Sequence, residues 1–129
     1  MAIRIVRLGT PRAEGEGIRL GTVRRPPRGV SRSDYSRLNY FDVWLPELGP
    51  SPALLSWARS KPWTEQRWAT FARRYRAEMA KAPASRIIEL IAALSRDASI
   101  SVGCFCEDQD RCHRSLLREL LVQAGADLA

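Results

Sequence analysis

A length of 129 residues and a hydrophobic content of 45% are those of one folded domain and exclude wholesale disorder. No apolar run approaches the roughly 18 residues of a membrane helix, and the N-terminus lacks the long apolar segment of a signal peptide. We therefore expect a cytoplasmic protein without a membrane partner. The net charge is +7, and residues 1–37, with nine arginines and three acidic residues, account for most of it. Such a basic region attracts anionic small molecules, nucleic acid or an acidic protein.

The N-terminal third of the chain and the residues just after it predict extended segments. Residues 2–8 alternate apolar and basic side chains, which is typical of a strand. After a turn at residues 15–17, residues 18–23 form a short extended stretch. Aromatic and branched residues over 40–45 predict a second main strand, which ends at Pro46.

Helical patterns follow this strand. Apolar residues recur at spacings of three and four, and hydroxyl side chains stand where helix caps are needed. The predicted helices lie over 53–59 after the cap Ser51, over 65–80 after the cap Thr64, and over 84–95.

A strand over 99–105 and a leucine-rich helix that ends before Gly125 complete the pattern. No repeat or linker divides the chain. Alternation of strands and helices predicts a single α/β domain over residues 1–129, with a mainly parallel central sheet and helices on both faces.

All three cysteines and the only histidine fall within ten residues, at the end of the last strand and the start of the last helix. Ligands of parallel α/β sheets bind at this edge, beside helix N-termini. The candidate catalytic residues are therefore Cys104, Cys106, Cys112, His113 and Arg114. A helix N-terminus stabilises a nearby thiolate, so we expect a lowered pKa for the Cys112 thiol.

Two chemistries suit this cluster. Cys104, Cys106, Cys112 and His113 form a Cys₃His set, which is a zinc composition, although Cys-x-Cys is tighter than the usual ligand spacing. Alternatively, one thiolate is a nucleophile and a second thiol resolves a disulfide or donates a proton. Buried cysteines that only fill the core are the structural alternative. Arg114 would orient the loop or bind an anionic group, or form an ion pair with Glu107.

Carboxylates at positions 107, 108 and 110 argue against an anion held by the cysteine loop itself. A neutral or cationic substrate fits better, or one whose anionic group is held by the N-terminal arginines Arg24, Arg25 and Arg28. Asp42 and Trp44 would reach the same cleft if their strand lies beside the last strand.

Two functions follow from these residues. One is a small cysteine-dependent enzyme that acts on a nucleotide-like or other phosphorylated compound held partly by the N-terminal arginines. The other is a non-enzymatic module that binds nucleic acid or an acidic partner through those arginines and Arg32, with a structural metal or core role for the cysteines.

The motifs also resemble a known family. Cys-Phe-Cys-Glu-Asp at 104–108 and Arg-Cys-His-Arg at 111–114 are similar to the C-terminal signature of the domain-of-unknown-function family 488. Tyr-Phe-Asp-Val-Trp-Leu-Pro at 40–46 and the segment 50–57 are similar to its YeaO-like branch. The resemblance covers almost the entire chain. It implies a small cytosolic α/β domain and no established reaction.

Overall fold

A computed structural model describes residues 2–129. Four strands and four α-helices occur in the chain, in this order: β1 Ile3–Arg7, β2 Ile18–Gly21, β3 Val43–Trp44, α1 Pro52–Arg59, α2 Glu65–Met79, α3 Ala84–Leu94, β4 Ile100–Cys104 and α4 His113–Gln123. Three short 3₁₀ turns lie between them, at Arg32–Asp34, Pro46–Leu48 and Gln109–Arg111. In the described part of the chain, no helix has both the length and the apolar character to cross a bilayer.

The strands form one parallel sheet in the order β1-β4-β2-β3. Strand β4 lies in the interior of the sheet and is buried along its whole length, which explains its run of small and apolar residues. Residues 3–7 of β1 pair in register with residues 100–104 of β4. The predicted α/β class and parallel sheet are confirmed.

One face of the sheet carries the main core. Ile3, Leu20, Ile100 and Val102 belong to one apolar cluster with the buried side chains of all four α-helices. On the opposite face, loop residues pack on the sheet, since the Thr10 and Asn39 carbonyls accept hydrogen bonds from Arg19 of β2. The Phe41 ring lies where a side chain at Gly21 would stand. The helices therefore pack mainly against one face of the sheet.

The second face also holds a buried ion pair that no sequence pattern indicated. Arg19 is 0% exposed and donates two hydrogen bonds to the Glu16 carboxylate. The same guanidinium donates to the carbonyls of Thr10 and Asn39. This charge-assisted bonding holds the pKa of Glu16 at about 2, well below its ordinary value. The pair ties both covering loops to the sheet.

The helix caps match the predictions. The Ser51 hydroxyl accepts a hydrogen bond from the Leu54 amide at the start of α1. The Thr64 hydroxyl does the same for the Arg67 amide at the start of α2. Gly125, just after α4, has φ of +93°, a conformation that glycine adopts without strain.

The predicted main strand over 40–45 is much shorter in the structure, where only Val43–Trp44 pairs with β2. The residues just before it form loop contacts instead of strand pairing. Phe41 is buried against β2, and Asp42 forms an ion pair with Arg12. The strand also lies at the edge of the sheet. The assumption that it is a neighbour of β4 is wrong, since β2 separates them.

Candidate functional site

The three cysteines meet at the carboxyl end of β4. Cys104 is the last residue of that strand and is buried, Cys106 follows in the exposed loop, and Cys112 is buried directly before α4. The loop returns through a 3₁₀ turn that starts at Asp108, whose carboxylate accepts a hydrogen bond from the Asp110 amide. This local turn is what brings Cys112 back to the strand end.

The three sulfur atoms lie within 4.8 Å of one another, and the Cys104 and Cys106 sulfurs are 3.6 Å apart. Tetrahedral coordination with Zn–S bonds of 2.3 Å would place thiolate pairs about 3.8 Å apart. Three sulfurs in this arrangement can hold a metal ion after a small adjustment. The predicted thiol cluster is thus formed by one strand end, one loop and one helix start.

Cys106, rather than Cys112, is the thiol that ionises first. Hydrogen bonds from the Cys104 and Cys112 thiols favour the Cys106 thiolate and lower its pKa. The same interactions, together with burial, raise the pKa of Cys104 and of Cys112. The expectation of a lowered pKa at Cys112 is wrong, because that thiol is buried and donates to its neighbours.

His113 is buried beside the thiols but is not part of the three-sulfur group. Its Nε2 is hydrogen-bonded to the Thr22 carbonyl, and its Nδ1 is 3.9 Å from the Cys112 sulfur. Burial lowers the pKa of His113 and favours the neutral ring. Because a carbonyl can only accept, Nε2 carries the proton and Nδ1 presents a lone pair to Cys112.

Arg114 is used by the fold at the ends of two strands. It is buried, and its guanidinium donates to the carbonyls of Val6 and Cys104 at the ends of β1 and β4. The alternative ion pair with Glu107 is wrong, since that carboxylate pairs with Arg7. Arg114 therefore supports the strand ends below the cysteine loop.

A cavity of about 860 Å³ opens above the thiols, a volume within the range of small-molecule sites. It brings together residues that are far apart in the chain: the three cysteines and His113, the segment Val23–Arg28, helix residues of α1 and α2, and aromatic side chains at the strand ends. Arg24, Arg25 and Arg28 thus line the same cavity as Cys104, Cys106 and Cys112.

The cavity lining is strongly positive. It contains five arginines, at positions 24, 25, 28, 59 and 111, and no aspartate or glutamate. No carboxylate forms an ion pair with any of these five among the described residues. The acidic residues of the cysteine loop lie outside the lining and are exposed. The positive charge of the lining therefore comes from the arginines, and these carboxylates do not line the cavity.

Several predicted residues lie elsewhere. Asp42 and Trp44 do not line the cavity. The Asp42 carboxylate binds the Arg12 guanidinium, the Arg19 amide and the Ser36 hydroxyl, and the Trp44 indole donates to the Val23 carbonyl. Both side chains hold the loop around β2 rather than a ligand. Arg32 is also outside the lining.

Other lining residues were not anticipated. Arg59 ends α1 and Arg111 lies in the turn before α4, where its guanidinium is 5.5 Å from the ring centre of Trp68. Trp63 and Tyr40 contribute aromatic walls. No local sequence signal distinguishes these residues from ordinary surface arginines and core aromatics.

One comparison with known proteins identifies a family, and none of them adds a function. The chain matches the family model DUF488-N3a, described as the active DUF488-N3 subclade, over residues 3–125. No curated protein and no solved structure shows significant similarity to it. The resemblance noted in the sequence is confirmed, and the cysteine triad fits its C-terminal signature. The chain therefore belongs to the DUF488-N3a family, the active DUF488-N3 subclade.

Proposed function

We propose that this protein is a small cysteine-dependent enzyme that acts on a nucleotide-like or other phosphorylated compound. The observation that carries the proposal is one cavity with an exposed thiol of lowered pKa among five arginines and no carboxylate. Thiolates are the reactive form of cysteine, and arginines bind phosphate oxygens through paired hydrogen bonds.

In this mechanism Cys106 is the nucleophile. Its thiolate forms a covalent bond to an electrophilic atom of the substrate, and the bond to the leaving group breaks. Cys104 and Cys112, whose raised pKa values keep them protonated, can supply the proton that the leaving group takes up. The Nδ1 lone pair of His113, 3.9 Å from Cys112, is placed to exchange a proton with that thiol.

The test has two parts. Limiting iodoacetamide at pH 7, followed by peptide mass mapping, should modify Cys106 before the other two cysteines. A screen of phosphorylated compounds should then give turnover that Cys106→Ser abolishes without lowering the thermal unfolding temperature. Arg118→Ala changes an exposed helix residue away from the cavity and should keep full activity. Turnover retained in Cys106→Ser would contradict the proposal.

A zinc site is the second candidate, and the three close sulfurs favour it. Zinc would be held by Cys104, Cys106 and Cys112, and would act there as a Lewis acid. His113 is the fourth candidate ligand, because metal-binding imidazoles commonly donate their other N–H to a carbonyl, as Nε2 does here. Protein purified without chelator should then contain about one zinc per chain, with thiols that react only after chelation. Cobalt(II) substitution should produce thiolate charge-transfer absorption. Protein that contains no metal and has one rapidly alkylated thiol would favour the cysteine nucleophile over the zinc site.

A further inference from the structure

We infer that the cavity takes a nucleoside polyphosphate, with the base against aromatic walls and the phosphates on the arginines. This inference names the substrate class for the cysteine-dependent enzyme proposed above. It is carried by how the lining is divided among aromatic residues, arginines and thiols.

The aromatic walls come from both apolar clusters of the protein. Trp63 and Phe71 belong to the main core on the helical side, with ring centres 5.4 Å apart. Tyr40 and Phe105 belong to the smaller cluster at the strand ends, with ring centres 5.9 Å apart. Both pairs contribute to the cavity lining. Aromatic faces bind a planar base by stacking, in a way that a sugar phosphate cannot use.

The arginines differ in whether their side chains form hydrogen bonds with the rest of the protein. Arg24 donates hydrogen bonds to the carbonyls of Pro50 and Gly49, which anchors its loop to the start of α1. Arg25 and Arg28 follow in the same loop, are exposed and have no carboxylate partner among the described residues. Arg24 is therefore a positioning residue, and Arg25 and Arg28 are the phosphate-binding candidates.

Two free arginines on one anchored loop suit more than one phosphate. Each can form a bidentate hydrogen-bonded pair with phosphate oxygens, so the two guanidinium groups can bind two successive phosphates. Arg59 and Arg111 supply further positive charge from α1 and from the turn before α4. Together with the aromatic pairs, this charge favours a nucleoside diphosphate or triphosphate over adenosine, pyrophosphate or ribose 5-phosphate.

Calorimetric titration of Cys106→Ser with four probes tests the inference, since this variant separates binding from chemistry. ADP should bind most tightly, and adenosine, pyrophosphate and ribose 5-phosphate should each bind about tenfold or more weakly. Arg25→Ala and Arg28→Ala should each weaken ADP binding about tenfold, the loss of one charged hydrogen-bonded contact. Arg118→Ala, the matched control, should leave it unchanged.

The aromatic contribution needs variants that keep the fold. Phe105→Leu and Trp63→Leu keep an apolar side chain and remove the stacking face, so they should weaken ADP binding about fivefold or more and leave pyrophosphate binding unaffected. Thermal unfolding of each variant shows whether it is folded. The comparison of the four probes on Cys106→Ser, which keeps all the aromatic residues, does not depend on these two variants.

The outcomes are separable. Pyrophosphate that binds as tightly as ADP, or adenosine that does so, would overturn the inference, as would no ADP binding at all. A single-stranded oligonucleotide that binds more tightly than ADP, with affinity falling steeply with salt, would assign the arginines to nucleic acid and also overturn it. ADP binding without any reaction at Cys106 would support the nucleotide cavity and contradict the enzyme proposal.

Discussion

Cys104→Ala tests the mechanism by which the thiol cluster activates Cys106. The Cys104 thiol is 3.6 Å from the Cys106 sulfur and donates to it. Alanine removes this donor and leaves Cys106 and its exposure in place. We expect the pKa of Cys106 to rise from about 2, so its reactivity should fall at acidic pH and stay unchanged at neutral pH.

The magnitude follows from the bond that is lost. A hydrogen bond to a charged group contributes about 1.5–3 kcal/mol, and one pKa unit corresponds to about 1.4 kcal/mol. The pKa of Cys106 should therefore rise by about one to two units. Once the pKa passes the working pH, each further unit lowers the thiolate fraction, and so the alkylation rate, about tenfold.

The assay is the rate of iodoacetamide alkylation of Cys106 between pH 3 and 10, followed by intact mass, with the difference expected at the acidic end. Cys104→Ser is the matched control, because its hydroxyl still donates a hydrogen bond and should keep the pKa of Cys106 low. Cys112→Ala should act in the same direction as Cys104→Ala, since its thiol also donates to this sulfur. A pH profile identical in the original protein, Cys104→Ala and Cys104→Ser would refute the reasoning.

Three further predictions concern the scaffold. Glu16→Gln leaves the buried Arg19 charge without its carboxylate. This variant should lower the free energy of unfolding, measured in urea, by about 3–5 kcal/mol. The control Asp34→Asn, which breaks an exposed ion pair, should lower it by about 1 kcal/mol or less. The pKa of Glu16 is depressed to about 2 from 4.5, so the stability from its ionised form is present above about pH 4.5 and is lost as the pH falls towards 2. Acid unfolding should show this loss, about 3 kcal/mol in all, in the original protein and not in Glu16→Gln. At Gly103 an added Cβ would lie 2.6 Å from the Val6 carbonyl oxygen, so Gly103→Ala should lower the free energy of unfolding by about 1–3 kcal/mol in the same urea assay. An unchanged free energy of unfolding in that variant would contradict the packing described for β4.

Local patterns predicted most elements of the fold. The caps Ser51 and Thr64 and the apolar spacing of α2 depend on residues close in the chain, and the structure agrees with them. The prediction of a strand over 40–45 was mostly wrong, because the structure of these residues depends on contacts with distant parts of the chain. Its aromatic and branched residues suit a strand, but Phe41 and Asp42 are used by contacts with β2 and Arg12, which no local pattern reports.

Sequence alone determined where the candidate site lies, because every cysteine and the histidine fall within one short segment at a strand end. It also determined the α/β class, since strand and helix periodicities are local properties. Only the tertiary structure decided that Cys106, rather than Cys112, has the lowered pKa, that Arg114 donates to carbonyls, and that Arg59 and Arg111 join Arg25 and Arg28 around one cavity. These outcomes depend on burial, hydrogen-bond direction and strand order. Such properties arise only when distant segments pack together.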